Sequence, residues 1–252
     1  MPAPRGQRGI QDPSDQERRR ALIVVDVQRD FCPGGALPVA GGDKIIPAVN
    51  ELIGAFERAG LPVFFTRDWH PKNHVSFKAG GGPWPPHCVQ NTPGARFHPA
   101  LAIPADAEVI DKGTLKEEDA YSGFQGTDLT HKLHRLGVKQ ICVAGLATDY
   151  CVKNTVIDGA AQGFETYVVT DCVRGVNLKR TDSATALRGM LSRGAKETTS
   201  GRLLKSLALR PTVSHPSSRA RLTIGGRLPA SQGPPRGASA RPRPARTPAA
   251  SL

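Results

Sequence analysis

The sequence predicts an α/β fold, a three-layer, doubly wound sandwich whose central sheet has six mainly parallel strands. Three observations lead to this prediction. Short apolar runs rich in β-branched residues recur along the chain, as buried parallel strands do. Segments with apolar residues three and four apart, typical of helices that bury one face, alternate with these runs. The 252 residues are 38% hydrophobic, which is enough for one large core.

Three strands and one helix account for the first half of the pattern. They fall at 21–28 ("ALIVVDVQ"), 43–60 ("DKIIPAVNELIGAFERAG"), 61–70 ("LPVFFTRDWH") and 107–113 ("AEVIDKG"). The second of these segments is the helix, because its apolar residues share one face and a glycine ends it. Roughly forty residues rich in Gly, Pro and His separate the second strand from the third, far more than a usual connection. We therefore expect this loop region to carry function.

The second half continues the alternation of helix and strand. Its segments are a helix at 127–137, a strand at 139–145 ("KQICVAG"), a helix that begins at Cys151, a strand at 165–173 ("ETYVVTDCV"), a helix at 180–194 and an edge strand at 195–200 ("AKETTS"). Repeated strand-then-helix units require right-handed crossovers, which place helices on both faces of a parallel sheet. The predicted sheet therefore lies between two helical layers.

The two ends of the chain differ from the middle in composition. Residues 205–252 contain nine basic and no acidic residues, eight prolines and no aromatic residue. They bury too little apolar surface to offset their ordering entropy. We expect a disordered extension at 1–20, a folded domain at 21–204 and a disordered basic tail at 205–252. Because the tail lacks aromatic interleaving and any recognisable module, we expect no nucleic-acid partner.

Cysteine usage and hydropathy indicate the cellular location of the protein and whether it crosses a membrane. The five cysteines form no CxxC pair, and the first residues lack the apolar stretch of a signal peptide. No run of about 18 apolar residues suggests a membrane span. We therefore expect reduced thiols, a cytoplasmic location and no membrane partner. The sequence leaves the oligomeric state open, a homo-oligomer included.

Two charged residues and a thiol follow predicted strands at the edge of the sheet where ligands bind. Asp26 follows the first strand, Lys112 the third and Cys151 the fourth, and they should meet at one edge with Asp68 and His70, which follow the second. A free cysteine is most often a small buried hydrophobe. A thiol at a helix N-terminus, with a carboxylate and a cation beside it, instead has the partners of a nucleophile and favours thiolate. We predict that Cys151 is a nucleophile, Asp26 its base and Lys112 the nearby cation.

A second polar cluster lies beyond the second strand, in "RDWHPKNH" and "WPPHC". It supplies one carboxylate and up to three imidazoles, from Asp68, His70, His74 and His87. Such a ligand set suits Zn²⁺, Fe²⁺ or Mn²⁺. Cys88 adjoins His87, and we interpret it as structural because ligation by adjacent residues is awkward. The cluster predicts one divalent metal ion, whose identity the sequence leaves open.

Six motifs, in order along 21–199, carry a resemblance to a known family. They read "IVVDVQRDFCPGGALPV", "TRDWHPKNHVSF", "WPPHCVQNTPGARFHP", "VIDKGT", "DAYSGF" and "GLATDYCVKNTVIDG". These motifs resemble those of the nicotinamidases among the isochorismatase-like cysteine hydrolases. The resemblance implies a six-stranded parallel α/β fold. It also implies hydrolysis of nicotinamide to nicotinate and ammonia, a step of NAD salvage, with pyrazinamide as a further substrate.

The resemblance also implies roles for individual residues by their position in the motifs. The family's catalytic triad falls on Asp26, Lys112 and Cys151. Its metal ligands fall on Asp68, His70 and His87, with zinc the expected ion and His74 left open as a further ligand. Its substrate-binding pocket aromatics fall on Phe31, Trp84 and Tyr121.

The resemblance further places an oxyanion hole in the turn that carries the nucleophile. A cis peptide is expected between Ala147 and Thr148, which would direct the backbone N–H groups of Ala147 and Cys151 into the hole. Tyr150 stands where some relatives have histidine, so we expect it to alter substrate tolerance.

Two other functions remain open from the sequence. A hydrolase of the same superfamily would act on isochorismate, a carbamoyl compound or another amide. Isochorismate hydrolysis attacks a vinyl ether and needs no metal cluster, so the histidines argue against that substrate. The other alternative is a non-catalytic protein that binds partners through its basic ends, and the triad argues against it. We expect an amidohydrolase that acts on linear amides.

Overall fold

The computed structural model describes residues 20–208; the extension and nearly all of the basic tail predicted from composition lie outside the described residues. Its centre is one sheet in the order β3-β2-β1-β4-β5-β6, with every strand pair parallel. The strands are β1 Arg20–Val25, β2 Val63–Asp68, β3 Glu108–Lys112, β4 Gln140–Leu146, β5 Glu165–Arg174 and β6 Lys196–Thr198. The predicted six-stranded α/β architecture is confirmed, and the sheet is parallel throughout.

Five α-helices within the described residues cover the two faces of this sheet. They are α1 Ile46–Arg58, α2 Leu129–Arg135, α3 Lys153–Ala161, α4 Asp182–Leu191 and α5 Ser200–Ala208. The helices α1 and α5 share one buried apolar cluster with the sheet, and α2, α3 and α4 share the other. This is the predicted three-layer, doubly wound arrangement.

The packing of β1 explains why its sequence is an unbroken apolar run. Leu22 and Val24 pack into the cluster on the α1 side, whereas Ala21, Ile23 and Val25 pack into the opposite cluster. All five side chains are fully buried. A strand covered on both faces has no solvent side on which polar residues would alternate.

The order of the strands reverses between β1 and β4. From this point β1, β2 and β3 follow one another in one direction, and β4, β5 and β6 in the other. The crossover helices therefore diverge, and a crevice opens beyond the carboxyl ends of β1 and β4. Asp26 comes directly after β1, and the turn that carries Cys151 follows β4.

Three boundaries differ from the prediction. The strand β1 already begins at Arg20. The helix α5 crosses the predicted end of the domain at Leu204 because Leu203 and Leu207 are buried against the core, so the fold continues to Ala208. The helix after β4 starts with a π-helical turn at Thr148–Val152, which leads into α3. This turn comes before most of the apolar repeat of α3, so the sequence pattern does not reveal it.

None of the helices in 20–208 has both the length and the apolar composition needed to cross a bilayer. All five cysteines fall in this range, are buried and form no disulfide.

Candidate active site

Four neighbouring strands bring the predicted triad and one predicted metal ligand to one buried edge. Lys112 ends β3, Asp68 ends β2, Asp26 follows β1 and Cys151 lies in the turn after β4. All four residues are buried. One carboxylate oxygen from each aspartate and the sulfur of Cys151 lie within 4.8 Å of one another. Asp68 thus lies next to the predicted triad at this edge, as its place at the end of the second strand predicts.

Lys112 lies at the centre of this edge. Its Nζ is 2.9 Å from Oδ2 of Asp26, contacts Oδ1 of Asp68 and lies 3.5 Å from Sγ of Cys151. It also donates a hydrogen bond to the carbonyl of Ala120 at 3.3 Å. Burial disfavours the charge, but Asp26 and Asp68 outweigh burial and raise the pKa of Lys112 well above its ordinary value. The lysine is therefore a fixed cation between two carboxylates.

Asp26 is held in place by Thr66 on the neighbouring strand. The Thr66 hydroxyl donates to Oδ1 of Asp26 at 2.6 Å, and the backbone N–H of Asp26 donates to the Thr66 carbonyl at 3.1 Å. Oδ2 is at ion-pair distance from Lys112 but accepts no well-aligned hydrogen bond within the described residues. Burial raises the pKa of Asp26, and Lys112 opposes this rise. The carboxylate therefore has both a free lone pair and an affinity for a proton.

Cys151 is a neutral thiol in this setting. Burial raises the pKa of Cys151 well above its ordinary value; Lys112 opposes this rise, and Asp26 and Asp68 add to it. The prediction that the helix N-terminus would favour thiolate is therefore wrong for the resting state, because the thiol is only 7% exposed and faces two carboxylates. Reaction at the sulfur requires a group that takes its proton, and Asp26 lies beside it.

The backbone of the turn differs from the expectation in one detail. The cis peptide joins Leu146 and Ala147, one residue before the position that the resemblance implied. The carbonyl of Ala147 accepts hydrogen bonds from Tyr150 at 3.0 Å and from Val152 at 3.1 Å, which closes the π-helical turn. The strand β4 thus ends at Leu146, and the change of direction already begins with the next peptide bond.

A glycine lets β4 approach the end of β1 at this point. Gly145 has a φ of +118°, and a Cβ added there would lie 2.1 Å from the carbonyl oxygen of Val25. No other residue type fits so close to the neighbouring backbone. This close approach brings the Cys151 turn against Asp26.

Asp68, His70 and His87 form a donor set that fits a divalent metal ion. Their ligand atoms lie within 4.8 Å of one another, with Nε2 of His70 at 3.5 Å and Nε2 of His87 at 3.9 Å from Oδ2 of Asp68. Nδ1 of His70 is 2.9 Å from the Gly113 carbonyl, and Nδ1 of His87 is 2.8 Å from the Pro85 carbonyl. A carbonyl accepts, so each Nδ1 carries a proton, and Nε2, which faces Asp68, is the ring nitrogen that can bind a metal ion once it is deprotonated.

The charge of Asp68 also suits a metal ligand. Burial would raise the pKa of this carboxyl, but Lys112 and then His70 outweigh burial and lower it below its ordinary value. The group is therefore ionised at neutral pH, as a carboxylate ligand must be.

His74, which the sequence left open as a ligand, does not join this set. Its Nδ1 is 2.7 Å from the hydroxyl of Ser76, and its Nε2 is 3.0 Å from the Glu118 carbonyl. Both ring nitrogens are therefore engaged by protein groups, and burial lowers the pKa of His74 so that it stays neutral. The ring stacks on that of His70 with centroids 4.1 Å apart. His74 thus supports a neighbouring imidazole and joins two loops.

Cys88 lies outside the donor set and makes backbone contacts to two loop segments. Its backbone N–H donates to Oδ2 of Asp30 at 2.7 Å, and its carbonyl accepts from the N–H of His70 at 3.0 Å. Burial raises the pKa of its thiol well above the ordinary value, so it stays protonated. Its backbone thus ties the His87 and His70 segments together.

Aromatic side chains stand beside the polar edge. The ring of Phe31 is 5.5 Å from that of His87. Trp84 donates its indole N–H to the Tyr121 hydroxyl at 2.9 Å, and Tyr150 packs on both, with ring centroids 5.1 and 5.9 Å away. Burial raises the pKa of Tyr121 to about 12, so its hydroxyl is neutral. Tyr150 is therefore part of the same aromatic wall as Trp84 and Tyr121.

Two residues important for this geometry were not identified from the sequence. Thr66 orients Asp26. The feature of the sequence that could have indicated this role is a hydroxyl residue directly after the buried apolar residues of β2. Gly113 has a φ of +58°, and a Cβ added there would lie 2.5 Å from Cε1 of His70. The feature of the sequence that could have indicated this close contact is a glycine immediately after the strand that ends in Lys112. Only glycine allows the carbonyl at 113 and the His70 ring to meet.

Known proteins resemble this chain in sequence and in fold. A family model described as the isochorismatase domain matches residues 20–201. The nicotinamidase of Escherichia coli is 42% identical over 197 residues, which cover 70% of this chain and 92% of that protein. The nicotinamidase/pyrazinamidase of Mycobacterium tuberculosis is 42% identical over 174 residues, which cover 66% and 91%. The crystal structure of the pyrazinamidase of Pyrococcus horikoshii in complex with zinc is similar with a TM-score of 0.69 at 54% identity, covering 72% of this chain and 99% of that one. With the family model matching well over half of its length, the chain belongs to the isochorismatase family.

Proposed function

We propose that the protein is a nicotinamidase, an amidohydrolase that converts nicotinamide to nicotinate and ammonia as a step of NAD salvage, and that it also accepts pyrazinamide. The observation that carries the proposal is one buried edge at which the Cys151 thiol, the Lys112 ammonium and the Asp26 carboxylate meet beside the Asp68 donor set. The relatives named nicotinamidase and pyrazinamidase support this choice of substrate.

A divalent ion held by Asp68, His70 and His87 belongs to this proposal. Zinc is the ion we propose, because these donors suit it and the relative from Pyrococcus horikoshii is described in complex with zinc. Iron and manganese ions suit the same donors. When bound, the ion supplies an open coordination position for the ring nitrogen of the substrate. Phe31 on the His87 side and the aromatic pair of Trp84 and Tyr121 would flank the ring and direct its carboxamide at the thiol.

The first half of the reaction forms a thioester. Asp26 takes the proton of the Cys151 thiol as the sulfur attacks the carboxamide carbon. The backbone N–H groups of Ala147 and Cys151 hold the oxyanion of the tetrahedral intermediate. Asp26 then gives its proton to the amide nitrogen, the carbon–nitrogen bond breaks and ammonia leaves. Lys112 remains charged throughout and stabilises whichever neighbour is anionic.

The second half releases the acid. Asp26, again a carboxylate, takes a proton from a water molecule, and the resulting hydroxide adds to the thioester carbon. When the intermediate collapses, the carbon–sulfur bond breaks and the thiolate regains a proton from Asp26. Nicotinic acid leaves and ionises to nicotinate in water, and the starting protonation state of the site is restored. A single carboxylate serves both halves because its pKa is raised by burial and held within range by Lys112.

Ammonia release from nicotinamide by the purified full-length protein tests this proposal. Cys151→Ala and Asp68→Ala are measured beside the wild type, with metal content recorded for all three. We expect release by the wild type and a loss of several powers of ten in Cys151→Ala, because the nucleophile is gone. A folded, metal-loaded wild type that releases no ammonia would overturn nicotinamide as the substrate, and assays with other amides, carbamoyl compounds and isochorismate would follow.

A further inference from the structure

Gln28 is a fully buried amide that the proposed chemistry does not use. It lies two residues after Asp26, where the chain has already left β1. Its Nε2 donates to the carbonyls of Asp68 at 2.8 Å and Ala95 at 2.9 Å, and its Oε1 accepts from the N–H of Asp68 at 2.8 Å. Both amide donors and the acceptor are engaged, so the side chain has one fixed orientation.

The Gln28 amide takes the place of a peptide group that β1 no longer supplies. The pairing of β1 with β2 ends with Val25 opposite Thr66. Two residues further along β2, both the N–H and the C=O of Asp68 face the β1 side, as its two bonds to Gln28 show. A strand residue in a parallel sheet directs both groups to the same neighbour, so the side-chain amide extends the ladder by one residue.

Without this amide, the backbone of Asp68 would be held from one side only. On the opposite side β3 pairs Asp68 with Lys112, and the N–H of Trp69 donates to the Lys112 carbonyl at 3.0 Å. The side chain of Asp68 projects from this peptide toward His70 and His87. Any displacement of the backbone at Asp68 therefore also displaces its carboxylate.

We propose that Gln28 is a positioning residue for the metal site, which fixes the Asp68 carboxylate by bonding both backbone groups of the same residue. The inference rests on the proposed function in so far as Asp68 is a metal ligand. Groups that hold metal ligands in place typically account for 10- to 100-fold in metal affinity. We expect a loss of this size when the Gln28 amide is removed.

The test compares the zinc affinity of full-length variants by competition with a chromophoric chelator. Gln28→Met keeps the length of the side chain and removes all three hydrogen bonds. Asn50→Leu is the matched control, because the Asn50 amide also bonds two backbone groups, the carbonyl of Ala100 and the N–H of Ala102, both at 2.8 Å. Gln28→Glu is a milder variant, which in its protonated form keeps one donor and the acceptor. Asp68→Ala provides the reference for loss of a ligand.

The expected result is a zinc dissociation constant 10- to 100-fold higher for Gln28→Met, unchanged for Asn50→Leu and intermediate for Gln28→Glu. Excess zinc should restore ammonia release in Gln28→Met, which a general loss of folding would not allow. Equal zinc affinity of wild type and Gln28→Met would overturn the inference alone. If Gln28→Met does not fold, wild-type affinity in Gln28→Glu overturns it instead. A wild type that binds no zinc would overturn the proposed metal site and the inference with it.

Discussion

Replacing Lys112 by methionine should lower the free energy of unfolding by about 3–5 kcal/mol. Lys112 is 1% exposed, lies 2.9 Å from Asp26 and contacts Asp68. Methionine has a similar length and leaves no large cavity, but it leaves two buried carboxylates without a counter-charge. Removing one partner of a buried ion pair costs about 3–5 kcal/mol. Because a folded domain is typically stable by about 5–15 kcal/mol, this loss would be a large share of the total.

The loss should be smaller when one carboxylate is removed as well. In the wild type, burial raises the pKa of Asp26 and Lys112 opposes that rise. In Lys112→Met the opposing charge is gone, so the pKa of Asp26 rises further and the group takes up a proton. The double variant Lys112→Met/Asp26→Asn replaces that group by a neutral amide. It should therefore be more stable than Lys112→Met alone.

Urea unfolding of the metal-free full-length chain, followed by circular dichroism, measures these differences through the transition midpoint. Lys196→Met is the control, because Lys196 also has a carboxylate partner, Glu165 at 2.7 Å, but its side chain is 57% exposed. Exposed pairs contribute little, so its midpoint should stay near that of the wild type. A Lys112→Met midpoint as close to wild type as that of Lys196→Met would refute the reasoning.

Two further predictions concern the metal donors. Gly113→Ala should weaken zinc binding by roughly tenfold or more, because its Cβ would lie 2.5 Å from the His70 ring. Gly126→Ala is the control, because Gly126 has a similar φ of +65° but an added Cβ would have no atom within 4 Å. Chelator competition should show nearly wild-type zinc affinity for this control. Equal zinc affinities of the two variants would contradict the steric argument. His74→Gln should still bind one zinc ion per chain, and His70→Gln should not, as metal analysis after dialysis would show. Loss of zinc from His74→Gln as complete as from His70→Gln would mean that His74 is a ligand.

The sheet and the edge that carries the site could be predicted from the sequence. Strands buried on both faces are visible as unbroken apolar runs such as that of β1. A charged residue that ends such a run, as Asp26 and Lys112 do, lies at the carboxyl edge whatever the details of the loops. The six-stranded architecture and the proximity of these residues to Cys151 follow from that rule.

The contacts that distinguish one histidine from another could not be predicted. His74 is excluded from the donor set by the carbonyl of Glu118, 44 residues away in the chain, and by the Ser76 hydroxyl. The pKa of Cys151 was expected to fall because of its place at a helix N-terminus, and burial reversed the direction. Spacing along a chain gives no information on which distant carbonyl faces a ring or how completely a loop covers a thiol.

The order of the strands explains why a lysine, rather than a shorter or broader cation, stands at position 112. Neighbouring strands are about 4.8 Å apart, so a side chain on β3 must reach past β2 to meet Asp26 beyond β1 and Cys151 beyond β4. The four-carbon stem of lysine provides that reach. Its Nζ donates to Asp68, to the Ala120 carbonyl and to the sulfur of Cys151, and it lies 2.9 Å from Asp26. Arginine has five donors in a rigid plane, which does not match acceptors that surround a single nitrogen. The short side chains at the ends of β2, β1 and β4 and the long one at the end of β3 therefore agree with the strand order.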